Sequence, residues 1–154
     1  MADPTDISAE NLALRTVRVK VLRKAIYDRL MAFSALSGFA AYNYIGTGTP
    51  QDIVAGIEEL AAPKALVLAY NDSKYGYIPM ADRALSIYVA VLNTKMYVKD
   101  FNVDPLDDAI HAVILALDKW APDGHCRVSV ASDTTIEGSQ TFSVSEVTVK
   151  AQDQ

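Results

Sequence analysis

The chain has 154 residues, of which 51% are hydrophobic and 21% charged, and its formal net charge is −5. That length suits one domain around one core, and the composition is too apolar for a disordered chain. Its longest apolar stretches, such as Ala65 to Tyr70 and Ile87 to Leu92, have strand length and fall well short of the roughly 20 residues that span a bilayer. The acidic balance is not the electrostatic footprint of a nucleic-acid binder, which needs clustered Lys and Arg. The opening, MADPTDISAENLALR, lacks the basic start and apolar run of a secretory signal. The single cysteine, Cys126, cannot form an internal disulfide, which fits a reducing compartment.

Residues 1–9 read as a flexible polar N-terminus. From Glu10 to Leu36 the pattern is helical, because Val19, Leu22, Ile26, Leu30 and Phe33 recur at steps of three and four. Ser8 is placed to cap this helix and Gly38 to stop it. The basic side chains Arg15, Arg18, Lys20, Arg23, Lys24 and Arg29 fall mostly on its polar side and read as a solvated face. The segment FAAYNYIGTGTP reads as a loop from its Gly and Thr content. Gly46 and Gly48 do not make a phosphate loop, since no Gly-Lys-Ser or Gly-Lys-Thr follows and no third glycine has the dinucleotide spacing. Thr49-Pro50 opens a short helix to Leu60, with Asp52 favoured near its N-terminal dipole.

Lys64 to Tyr70 is a compact strand, and NDSKYGYIPMAD a long connection. In Arg83 to Asn93 the residues Leu85, Ile87, Val89 and Val91 point to one face and Ser86, Tyr88, Ala90 and Leu92 to the other. The second face is only half polar, which predicts cover on both sides. Asp104 caps a further helix with Pro105 at its first position, and Leu106, Ile110, Val113, Ile114 and Leu117 form its stripe up to Trp120. The rest reads as two or three strands, at Arg127 to Ser132, Thr134 to Glu137 and Phe142 to Lys150, before a frayed 151–154. The expectation is one α+β domain over 10–150: a mixed, mostly antiparallel sheet with two main helices packed on one face.

No side-chain constellation for catalysis emerges. His111 lies beside a helix stripe, and His125 and Cys126 are adjacent, so in a strand they diverge and make a poor nucleophile pair. Zinc needs about four ligands at short spacing, which one Cys and two separated His do not supply. Glu58-Glu59 and Asp107-Asp108 are consecutive helix positions about 100° apart, so neither pair shares a site. The expectation is therefore no catalytic residue, no metal and no cofactor. Tyrosine is favoured at protein interfaces. Tyr70, Tyr75, Tyr77 and Tyr88, with Ile78, Met80 and Arg83 in the same strand–loop–strand segment, are the candidate interface residues.

That segment, KALVLAYNDSKYGYIPMADRALSIYVAVLNTK from Lys64 to Lys95, resembles the tail-terminator proteins of Mu-like contractile-tailed phages and prophages. The matching features are Pro63, the Ala65 to Tyr70 strand ending in Ala-Tyr, and Ser86 to Asn93. The long first helix, the Pro105 to Trp120 helix and the final strands follow in the same order. The resemblance implies a structural protein of the virion, assembled in the host bacterial cytoplasm and located at the head-proximal end of the tail. It implies a sixfold ring of this chain that meets the tail tube, the sheath and the head–tail connector, with DNA passing through the channel without specific binding and no membrane partner. A head–tail connector or other tail-completion protein is the nearest alternative. A small ligand-binding or enzymatic domain, with an inter-subunit site built from Gly46 to Thr49 and His111, is the alternative of a different class.

Overall fold

The computed structural model describes residues 19–46, 48–75, 81–93, 97–122 and 126–153. Helix α1 covers Val19–Met31 and leads through a 3-10 turn at Ser34–Leu36 into strand β1, Ala40–Tyr44. Helix α2, Pro50–Ile57, continues as a 3-10 turn over Glu58–Leu60. Strands β2, Lys64–Tyr75, and β3, Ala81–Leu92, precede helix α3, Pro105–Leu117, and strands β4, Cys126–Ile136, and β5, Phe142–Asp153. The sheet order is β1-β2-β3-β5-β4, parallel between β1 and β2 and antiparallel elsewhere. This is the expected α+β class with a mixed, mostly antiparallel sheet.

Alternation divides the sheet cleanly. Leu66 and Leu68 of β2, Leu85, Ile87 and Val89 of β3, and Val147 and Val149 of β5 share one face. On this face α1 lays Leu22, Ile26 and Leu30, and α3 lays Val113 and Leu117. Leu22, Ile26 and Leu30 are the middle of the predicted α1 stripe, but the helix ends at Met31 and not at Leu36, so Phe33 lies beyond it. The stripe of α3 is rotated toward alanines: Ala109, Ala112 and Ala116 are buried and Leu115 is exposed. Alanine adds little bulk, so the helix approaches its neighbours closely. Arg29 ties the two helices together. Its Nε donates to the Ala116 carbonyl at 2.9 Å, and its guanidinium lies 5.2 Å from the Phe33 ring centre and 5.5 Å from that of Trp120. Arg29 and Arg23 are therefore engaged within the fold and not part of a wholly solvated face; Arg15 and Arg18 lie outside the described residues.

The opposite face carries a smaller core, in which α2 packs Ile53, Val54 and Ile57 against Val67, Tyr88 and Val144. Cover on both faces, expected from β3, is thus supplied on this side by the short helix. Thr49 and Asp52 make a reciprocal capping box at the start of α2, with Pro50 just inside it. Asp104 accepts from the Asp107 N–H in the same way at α3.

Four expectations change. FAAYNY is not wholly loop, because Ala40–Tyr44 pairs in parallel with Ala65 to Ala69. Much of the Asn71 to Asp82 connection is strand: β2 and β3 run on to Tyr75 and from Ala81, with a register shift between Tyr70 and Asp72. The two short strands expected after Arg127 are one, because a bulge between Val130 and Ser132 reverses the alternation without ending the pairing. Residues 151–153 continue β5, with Ala151 fully buried opposite Arg83 and Val128. The predicted cap Ser8 lies outside the described residues.

Gly138, in the connection between β4 and β5, has φ +135°, and a Cβ there would stand 3.4 Å from the Gln51 carbonyl oxygen. Side chains disfavour that backbone region. Gly138→Ala is expected to cost about 1 kcal/mol or slightly more, read from thermal unfolding.

Candidate functional site

Among the described residues no group of three or more His, Cys, Asp or Glu is placed to hold a metal ion. His111 is exposed on α3, Cys126 opens β4, and His125 lies outside the described residues. Glu58 accepts from the Ser139 hydroxyl at 2.7 Å and the Thr141 hydroxyl at 3.1 Å, fastening the end of α2 to the β4–β5 connection. Those bonds, Ser139 first, hold its carboxyl below the usual glutamate range. Asp107 and Asp108 are exposed in the first turn of α3. The Gly46–Gly48 pair has a packing reason. A Cβ on Gly46 or Gly48 would stand 3.1 or 2.8 Å from the Tyr44 hydroxyl oxygen, so the glycines let that ring lie across the loop.

The predicted interface residues separate into three groups. Tyr77, Ile78 and Met80 lie outside the described residues, and Tyr75 ends β2. Arg83 and Tyr88 are covered by the chain itself, at 3% and 2% exposure. Tyr70 is 36% exposed on the α1 side of β2, with the Arg23 guanidinium 6.0 Å from its ring centre.

Tyr88 anchors a polar network on the α2 face, directly across the strand pair from Glu146. One carboxylate oxygen of Glu146 accepts from the Ser86 hydroxyl at 2.6 Å and the Tyr88 hydroxyl at 3.0 Å. Asn71, the residue displaced at the register shift in β2, donates from Nδ2 to the Ser86 oxygen at 2.8 Å. Burial first, then the Glu146 carboxylate, pushes the Tyr88 phenol well above the ordinary tyrosine value. Asn71, Ser86 and Tyr88 each donate one hydrogen bond within this network, so the arrangement helps to fix strand register.

Two surfaces that the sequence reading did not single out are more open. The first is a groove of about 880 Å³ between α1 and the edge strand β1. Tyr27, Ala41, Ile45, Leu68 and Tyr70 give it an apolar floor and wall. Lys20, Arg23 and Lys24 rim it. Arg23 donates to the Asn43 side chain and, at 3.3 Å, to the Tyr44 carbonyl, while Lys24 pairs with Asp28 at 2.6 Å. The second is the segment between β3 and α3. Phe101 is 100% exposed and Tyr97 93%, with Val98 and Val103 half exposed beside them. An Asx turn, Asn102 N–H to Asp100 at 2.9 Å, shapes its tip. Exposed aromatic side chains grouped in this way mark interaction surfaces.

No family model matches the chain, and no curated protein matches it. Among solved structures it is similar to a chain in the virion of the native gene transfer agent particle. The match has a TM-score of 0.54 at 17% identity and covers 86% of this chain and 95% of the other. The two share a fold across nearly the whole of both chains.

Proposed function

We propose that this chain is a structural protein of a phage-like virion, and within it a tail terminator: a ring of six copies that caps the tail tube at its head-proximal end and joins the tail to the head. The observation that carries the reading is the fold shared, almost end to end, with a chain of a gene transfer agent virion. The strand pair β2–β3, which carries the resemblance to tail terminators, lies at the centre of that fold. The two open apolar surfaces suit a protein that works by contact. Its partners are further copies of itself, the tail tube with its sheath, and the head–tail connector; its net charge of −5 suits a channel through which DNA slides without being gripped. Assembly takes place in the bacterial host cytoplasm. No catalytic role is part of the proposal.

Negative-stain electron microscopy with native mass measurement tests it. The expected particle is a ring with six equal densities and the mass of six chains, which binds the ends of purified tail tubes. Rings that bind the portal end of heads and leave tube ends bare select the connector reading instead. Single chains only, at every concentration and with tubes present, would sink both.

A further inference from the structure

The loop and the groove are complementary in polarity and charge. The groove is concave and apolar, and its rim carries Lys20, Arg23 and Lys24, of which Lys24 is partly neutralised by Asp28. The β3–α3 segment exposes Phe101 and Tyr97, and the carboxylates beside them and at the following helix start, Asp100, Asp104, Asp107 and Asp108, outnumber its two cations, Lys95 and Lys99. Both surfaces are open on the same chain, and Phe101, fully exposed, does not fill the groove of its own chain. The loop leaves β3 beside the start of β2, where the Leu92 N–H donates to the Pro63 carbonyl. Tyr70, on the groove wall, lies six residues further along β2, about 20 Å away at strand rise.

We infer that the groove receives the β3–α3 loop of a second copy of this chain, with Phe101 as the buried anchor and Asp100 facing the Lys20–Arg23 rim. Because the two halves of the contact are different surfaces, the contact is head-to-tail. Each copy then offers a free loop at one side and a free groove at the other, and the series closes into a ring when the rotation per copy divides a full turn. The inference rests on the ring reading above and names its interface. The anchor is an aromatic group entering a desolvated pocket, the pattern that dominates association energy. The charges on the rim govern the approach and the salt dependence.

The test joins a cross-link to a mass measurement on the full chain. In a Cys126→Ser background, Ile45→Cys with Phe101→Cys is expected to give, on oxidation, a ladder of linked copies ending at the ring size, while either cysteine alone gives none. Phe101→Asp is expected to weaken association at least about tenfold, with the circular dichroism of the wild-type fold, since Phe101 is fully exposed. Rings of unchanged mass in Phe101→Asp, with no ladder, overturn the inference and leave the ring standing; the groove then has another occupant, such as residues 1–18. Chains that never associate and never ladder overturn the ring reading and the inference together.

Discussion

Ile26→Ala is expected to remove about 2–5 kcal/mol of unfolding free energy, seen as a lower urea midpoint at unchanged slope. Ile26 is fully buried at the middle of the α1 stripe, between Leu22 and Leu30, which are equally enclosed. Truncation removes apolar area from the larger core and leaves a cavity. The surroundings cannot close it, because Arg29 fixes the helix to the Ala116 carbonyl and to two aromatic rings. The comparison that makes the result specific is Tyr27→Ala. That neighbour is 39% exposed, and its loss is expected to cost under about 1 kcal/mol. Equal costs at the two positions would contradict the packing of α1 on the sheet.

The second large effect concerns the network on the other face. Glu146→Ala removes the acceptor shared by Ser86 and Tyr88, and stranding these partly buried hydroxyls is expected to cost about 2–3 kcal/mol. Glu146→Gln keeps an acceptor oxygen and is expected to cost less. The pH dependence has a definite sign. The folded state holds the Tyr88 phenol neutral above the ordinary tyrosine range, so its contribution is fully present below the unfolded value near 10 and is lost as pH rises beyond it. The chain carries seven other tyrosines, so the measurement is the difference between wild type and Tyr88→Phe. Wild type is expected to lose stability relative to Tyr88→Phe between about pH 9 and pH 11. A difference that stays constant across that interval would show that Tyr88 titrates as an ordinary phenol.

The helices were legible because their signals are local. The α1 stripe needs only a period of three to four, and Thr49-Pro50 and Asp104-Pro105 announce helix starts through capping chemistry. Strand β1 was not legible. Its five residues, Ala-Ala-Tyr-Asn-Tyr, lack β-branched side chains, and its partner in the sheet lies about 25 residues on. The bulge in β4 hid one strand as two, since an alternation that reverses at Ser132 imitates a turn. The alanines of α3 were passed over because small residues mark a close approach only once the neighbouring element is known. Missing β1 also meant missing the groove, which exists only between that strand and α1. By residue type alone Tyr70 and Tyr88 are both interface candidates. Strand alternation instead sends Tyr70 to the α1 side and Tyr88 into the opposite core, where Glu146 meets it. Phe101 and Tyr97 carried a signal that composition could have offered, large apolar side chains in a segment with no helical or strand period.

Among the described residues the sheet is open at both ends of its strand order, and an open edge is a template on which any extended chain can build a fibre. Here the edges are blunt. Strand β1 is only five residues long and has a carbonyl occupied by Arg23. Strand β4 is bent by its bulge and exposes Arg127 and Asp133. Neither edge therefore offers a long, flat template to a further strand, and contact between copies falls to side-chain surfaces instead of to continued backbone pairing.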